Sequence, residues 1–322
     1  MNRRSFLTSL AVSVSTGAID QVVRADATPA VQSSATCTGA ARLRVAQLTD
    51  THVFHDLDCP ARMRAFLARF SSVTGTPDLV LHTGDVIFDA LDADRDEVTR
   101  QWALWHDLAR ELPSPPMYAI GNHDVWGKAP VSDPLYGKKW AVDMLKLPNR
   151  FYGFTKGGWQ FIVLDSTHPI PTGWYTAKLD DEQLAWLEGE LKKTDAKTPV
   201  AIVSHIPLVS AAIVQWAKSQ GQTWTVSNGL MHGDSHAIQA VLRRYPNVKL
   251  CLSGHLHLLD HVVYDGITYI GCGAVSADWW RGPTFHQTHC GFATIDLSAD
   301  GSFERTYHLY DWPAAPALEV RR

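Results

Sequence analysis

The feature that most constrains this chain is a series of short apolar runs, most of which end in polar residues able to bind a metal. The runs Leu43 to Leu48, Leu79 to His82, Met117 to Ile120, Phe161 to Leu164, Val200 to Val203 and Val248 to Leu252 are four to six residues long. That is short for helices and right for buried strands. Between them, Ala61 to Ser72, Asp94 to Leu112, Glu182 to Lys193 and Ser235 to Tyr245 have the length and spacing of amphipathic helices. Asp180 or Asp181 can cap the third, in which Leu184, Leu187 and Leu191 recur at three- and four-residue intervals. Strands alternating with helices predict a layered α/β fold. Past Leu258 the texture turns to β: Val262 to Tyr264, Ile267 to Ile270, Phe292 to Leu297 and Glu304 to Leu309, with turn pairs Asp265-Gly266 and Asp300-Gly301. Consecutive hairpins there are expected to extend a second sheet.

Open α/β sheets bind ligands at the carboxyl ends of their strands, and that is where the polar residues fall. The first run ends Asp50-Thr51-His52, the second Gly84-Asp85, the third Gly121-Asn122-His123-Asp124, the fifth Ser204-His205-Ile206-Pro207 and the sixth Gly254-His255-Leu256-His257. On extended chain, residues two apart face the same way, so Asp50 and His52 can address one ion. Glycines ahead of the ligands permit tight turns. Each block alone says little, because a Gly-Asp pair is usually a turn and a lone histidine usually a structural residue. In order, D-x-H, G-D, G-N-H-D, H-x-P and G-H-x-H form one pattern, and over Leu43 to Tyr310 the chain resembles the calcineurin-like metallophosphoesterases.

That resemblance implies a four-layer α/β/β/α sandwich, two mixed sheets flanked by helices, in one catalytic domain over residues 43–311. It implies that Asp50, His52, Asp85 and His257 hold one metal and that Asp85, Asn122, His205 and His255 hold a second, with Asp85 bridging. A shared carboxylate can keep two dications about 3.5–4 Å apart with a nucleophilic hydroxide between them. Oxygen and imidazole ligands suit Mn, Fe, Zn or Co alike. His123 is implied to protonate the leaving group. The expected activity is hydrolysis of a small-molecule phosphate ester by in-line attack of that hydroxide. A phosphodiester, with a cyclic nucleotide as the leading candidate, comes first, because the D-x-H and N-H-D blocks resemble the family's cyclic-nucleotide branch. Phosphomonoesterase, nucleotidase-like or lipid-headgroup activity is the alternative. A non-catalytic exported metal-binding protein stands behind both, since every ligand position is filled.

Two departures from the family pattern are informative. Purple acid phosphatases carry a tyrosine shortly after the Gly-Asp pair, and Gly84 to Asp89 offers none. Where many relatives place an aspartate three residues after the bridging one, this chain has Phe88, leaving Asp89 or Asp124 to orient His123. The segment around Trp279, Trp280 and Arg281 also resembles a feature of some family members. There the tryptophans would stack on a flat group and the arginine would bind a phosphate oxygen, or the two rings simply pack under a loop. His82, His106 and His308 read as core or surface residues, whereas His55, His168, His232, His286 and His289 fall in loops that could line the site.

At the N-terminus, Asn2-Arg3-Arg4-Ser5-Phe6-Leu7 precedes a weakly apolar stretch to Ile19 and a small-x-small site at Ala25-Asp26-Ala27. This resembles a twin-arginine signal, with a general secretory signal as the alternative. The expectation is a signal peptide over 1–27, a linker over 28–42 and a loose tail over 312–322. The protein would be periplasmic or secreted, delivered by the twin-arginine export machinery. Cleavage would leave 26 basic against 31 acidic residues, which argues against a nucleic acid polymer as partner. No apolar run reaches the roughly 20 residues of a membrane-spanning helix, so no stable membrane insertion is expected. The five cysteines are an odd number, and an oxidising compartment would permit a disulfide among them.

Overall fold

The computed structural model describes residues 42–170 and 175–312. The expected signal peptide, Cys37, the linker before Arg42 and residues 313–322 lie outside the described residues.

Two large sheets form the centre. Their strands are β1 (Arg42–Leu48), β2 (Leu79–His82), β3 (Met117–Tyr118), β4 (Tyr152–Lys156), β5 (Trp159–Val163), β6 (Val200–Val203), β7 (Val248–Ser253), β8 (Asp260–Tyr264), β9 (Ile267–Gly271), β10 (Gly291–Ser298) and β11 (Phe303–Leu309). The helices are α1 (Cys59–Thr74), α2 (Arg95–Leu108), α3 (Lys139–Met144), α4 (Asp181–Lys193) and α5 (Ser235–Leu242). The first sheet has the order β11-β10-β1-β2-β3 and the second β8-β9-β7-β6-β5-β4. In the first, β1 to β3 are parallel and β10 and β11 add antiparallel on one side; in the second, β5-β6-β7-β9 are parallel and β4 and β8 add antiparallel at the two edges. Parallel pairing needs a crossover, which α1 and α2 supply in one sheet and α4 and α5 in the other.

The short runs are apolar throughout because both faces of each strand are covered. Leu43, Val45, Leu79 and Leu81 meet Phe161, Val163, Ala201, Val203, Leu250 and Leu252 between the sheets. The alternate residues Ala46, Leu48 and Val80 pack outward on Met63, Phe66, Trp102 and Trp105 of α1 and α2. On the far side, Ile162, Val200, Ile202 and Cys251 pack on Leu187, Leu191, Ile238 and Val241 of α4 and α5. The α/β/β/α sandwich follows from this period of two. Each fully buried Leu, Val or Phe contributes roughly 1.5–3 kcal/mol of transfer free energy.

Four expectations are corrected. The late hairpins do not extend one sheet: β8 and β9 join the second, while β10 pairs with β1 and closes the first. β3 ends at Tyr118 instead of Ile120, because the chain leaves the ladder to enter the Gly121 turn. Arg42 belongs to β1, paired with Ser298, not to a linker. Trp312 is not loose: its ring lies 5.8 Å from that of Trp280, and the Arg62 guanidinium sits 4.3 Å over it. Asp94 and Asp180 cap α2 and α4 by accepting from Glu97 N and Gln183 N, both at 2.9 Å. Among the described residues, Cys59, Cys251, Cys272 and Cys290 are buried and unpaired, and no helix is long and apolar enough to cross a membrane.

Candidate metal centre

The two sheets bring five turns together at one end, following β1, β2, β3, β6 and β7. Beyond β1 and β2 the chain continues as a ladder of turns, with Asp50 N on Gly84 O at 3.0 Å, His52 N on Asp85 O at 3.1 Å and Val53 N on Val86 O at 3.1 Å. Asp50, His52, Asp85, His255 and His257 all have positive φ, between 42° and 70°. This corrects the expectation of extended chain at Asp50 and His52: both side chains reach one place because the backbone turns left-handed at each. Such backbone is strained for non-glycine residues and persists where surrounding structure enforces it, typically at functional sites. The glycines act through close approach. A methyl group on Gly121 would fall 2.0 Å from Asp85 N, and one on Gly254 would fall 2.0 Å from Thr49 Oγ1.

Two groups of donor atoms result, Asp50 with His52 and His257, and Asp85 with His205 and His255, each within 4.8 Å. Asp85 lies between them. Its Oδ1 accepts from His123 N at 2.8 Å, while Oδ2 is 3.6 Å from His52 Nε2 and 3.1 Å from His205 Nε2. Asn122 Oδ1 stands 3.1 Å from His205 Nε2 and joins the second group. Asp50 Oδ1 is 3.2 Å from His257 Nε2, and its Oδ2 is held by Thr49 Oγ1 at 2.6 Å and His255 N at 3.0 Å. All seven side chains expected as ligands therefore converge.

The histidines show what belongs between them. Each uses one ring nitrogen on a backbone carbonyl: His52 Nδ1 on Phe88 O at 3.4 Å, His205 Nδ1 on Thr83 O at 2.8 Å, His255 Nε2 on Gly229 O at 2.9 Å, and His257 Nδ1 on Ala277 O. A carbonyl only accepts, so these nitrogens carry the protons and the others present lone pairs to the centre. His52 Nε2 and His257 Nε2 then face each other at 3.2 Å, as do His255 Nδ1 and His205 Nε2. The facing lone pairs of His52 and His257 repel unless a cation lies between them. Burial holds His52 and His255 down at about 3, keeping both neutral. His205 is different: despite burial, Asp85 raises it to about 9, so positive charge is favoured between these two residues. Burial opposes ionisation of Asp50 and Asp85 as well, but the neighbouring imidazoles hold both below the usual carboxylate range. The donor set of carboxylate, amide oxygen and imidazole fits two borderline dications.

His123 lies beside this set without joining it. Its ring is 5.1 Å from that of His52, and its Nδ1 is 3.3 Å from Asp89 Oδ1. Burial opposes its charged form, but Asp85 and then Asp89 outweigh that and raise it above its ordinary value. Asp89, not Asp124, is the carboxylate against His123. Asp124 spends its oxygens on Val86 N, Ile87 N and Gly121 N at 2.8, 3.2 and 2.8 Å, clamping two ligand turns together.

The tryptophan pair divides. Trp279 stands at the centre, its ring 4.2 Å from that of His257 and 5.8 Å from that of His52. Trp280 corrects the expectation of substrate contact: it is fully buried, and its Nε1 donates to Thr51 O and His52 O at 3.0 Å each, supporting the first ligand turn from beneath. Arg281 is exposed and outside both donor groups. Sequence reasoning missed His82, which accepts from Gly84 N at 3.2 Å through Nδ1 and meets Thr51 Oγ1 at 3.0 Å through Nε2. It thereby ties the first two ligand turns. It also missed Tyr175, whose ring lies 6.5 Å from that of His255, and Phe285, 5.7 Å from that of His257. His232 is buried against Asp234 at 3.0 Å.

A family model for calcineurin-like phosphoesterase matches residues 43–259. The chain belongs to the calcineurin-like phosphoesterase family. Members of this family hydrolyse phosphoric esters with metal ions, and this chain is such an enzyme, its two donor groups serving a pair of divalent metals. It is 26% identical over 285 residues to a probable cyclic nucleotide phosphodiesterase of Synechococcus, covering 84% of this chain and 94% of the relative. It is 27% identical to a 3',5'-cyclic-nucleotide phosphodiesterase of Nostoc, covering 86% and 97%. With the 3',5'-cyclic adenosine monophosphate phosphodiesterase CpdA of Escherichia coli the identity is 24%, covering 84% and 90%. Among solved structures, a dimetal phosphatase from Danio rerio superposes with a TM-score of 0.56 at 14% identity, covering 84% of this chain and 99% of that one. At that identity the likeness speaks for the calcineurin-like fold alone.

Proposed function

We propose that this enzyme is a phosphodiesterase whose substrate is a 3',5'-cyclic nucleotide or a closely similar diester. The curated relatives matched over more than four-fifths of this chain carry that activity in their names. In this reading Asp50, His52, Asp85 and His257 hold one metal, and Asp85, Asn122, His205 and His255 hold the other. The observation that supports the ligand roles is the anchoring of one nitrogen of His52, His205, His255 and His257 on a backbone carbonyl, which leaves the opposite nitrogen for the donor groups around Asp50 and Asp85. Two bound dications supply Lewis acidity to the phosphoryl oxygens and activate water at neutral pH. The chain's own residues do the rest. His123, held by Asp89, donates a proton to the leaving oxygen, and its raised pKa suits an acid. Trp279 forms one flank of the substrate site.

Turnover of metal-loaded protein on a panel of cyclic nucleotides, linear diesters and monoesters tests this directly. Preference for cyclic nucleotides is the expected result; faster hydrolysis of monoesters would replace the reading with a phosphomonoesterase. Export by the twin-arginine route is part of the proposal and rests on Arg3 and Arg4 in the sequence. Arg3→Lys with Arg4→Lys should leave precursor in the cytoplasm, and normal export of that double variant would exclude the route.

A further inference from the structure

Beside the second donor group lies a cavity of about 350 Å³, within the range of small-molecule sites. One wall is Leu91 with Val125 and Trp126, which follow directly on Asn122-His123-Asp124. The paired strands Thr167–Pro169 and Tyr175–Ala177 also line it, through Thr167, His168, Pro169 and Tyr175. Tyr175 joins cavity to centre, because the same ring that lines the cavity stands edge-on to His255 at 81° and 6.5 Å.

The charges on the lining are largely spent within the protein. Lys138 donates to the buried Asp165 and to Thr167 O. Arg150 pairs with Asp165 at 3.0 Å, Asp180 at 2.7 Å and Glu182 at 3.0 Å. Lys139 also lines the cavity and is exposed to solvent. A space walled by Trp126, Tyr136 and Tyr175, with its half-buried cations already paired, favours a flat uncharged group over a second phosphate, which would need free donors.

We infer that this cavity is the subsite for the uncharged organic part of the ester, a ring system of nucleobase size packed against Tyr175 and Trp126 while the phosphate sits at the two donor groups. The inference rests on the phosphoesterase reading of the centre and adds to it the residues that select the substrate. The test uses metal-loaded protein and two measurements. Calorimetry reads the affinity for adenosine, a neutral ligand with no phosphate; kinetics read the ratio of kcat/KM for cyclic AMP to that for methyl p-nitrophenyl phosphate. Ile170→Trp narrows the cavity and Tyr175→Leu removes its aromatic face. Each should weaken adenosine binding at least about tenfold and lower the ratio by a similar factor, which is about 1.4 kcal/mol, with both metals retained. Wild-type adenosine affinity in the variants, an unchanged ratio, or no adenosine binding to the wild type overturns the subsite. If Ile170→Trp does not fold, Tyr175→Leu carries the same test. Failure of the wild type to hydrolyse either ester would instead overturn the phosphoesterase reading, while the adenosine titration still reports on the cavity.

Discussion

At the strand ends, the turns that carry Asp50, His52, Asp85 and His257 are buried, closed by backbone hydrogen bonds and held left-handed. At the rim, Tyr175, Trp279 and Phe285 are half-buried and sit on short hairpins and loops. The first region is over-determined. Asp124 clamps two turns, His82 ties another pair, and Trp280 supports the first from below. The second meets the centre through ring contacts, Trp279 on His257 and His52 and Tyr175 on His255. The difference separates two jobs: rigid turns fix where the metals and the attack lie, and the rim decides which ester fits.

The largest effect should come from the residue shared by both donor groups. Asp85→Asn should lower metal content at both positions and nearly abolish turnover, whereas His52→Ala should chiefly empty one; metal analysis with turnover distinguishes them. Two metals per chain and near-normal activity in Asp85→Asn would break the account of the turns. His123 sharpens the comparison because it sits at the boundary. His123→Ala should keep both metals yet lose about 10²- to 10⁴-fold on a substrate with an alkoxide leaving group, and far less on a p-nitrophenyl ester. Equal losses on both would point to a role in holding the phosphoryl oxygens.

The adjacent tryptophans make the smallest and cleanest contrast. Trp280→Ala removes a buried indole and should destabilise the fold by about 3–5 kcal/mol in denaturant unfolding. Trp279→Ala should cost about 1 kcal/mol or less in stability and instead raise KM for the diester several-fold. A large loss of stability from Trp279→Ala, with KM unchanged, would move Trp279 from the rim to the framework.

Much of this was legible in the chain itself. Buried parallel strands must be apolar on both faces, so the six runs announced themselves, and of Asp180 and Asp181, both of which could cap a helix, the structure uses Asp180. The seven ligand-type side chains were legible through the family resemblance that the five blocks carry together, and in the fold they lie close to one another. What the sequence could not separate were pairs of equivalent appearance: Trp279 from Trp280, Asp89 from Asp124, and the late hairpins by sheet. Those choices depend on which face a residue presents and on partners more than thirty positions away, such as the carbonyls of Thr51 and His52 that hold Trp280, or the Val86 N–H that occupies Asp124. Backbone carbonyls leave no trace in residue identity. The sequence therefore determined the strands, the ligand chemistry and the family. The tertiary structure alone decided tautomers, the carboxylate that orients His123, and the walls of the cavity, because each is set by distances between segments remote along the chain.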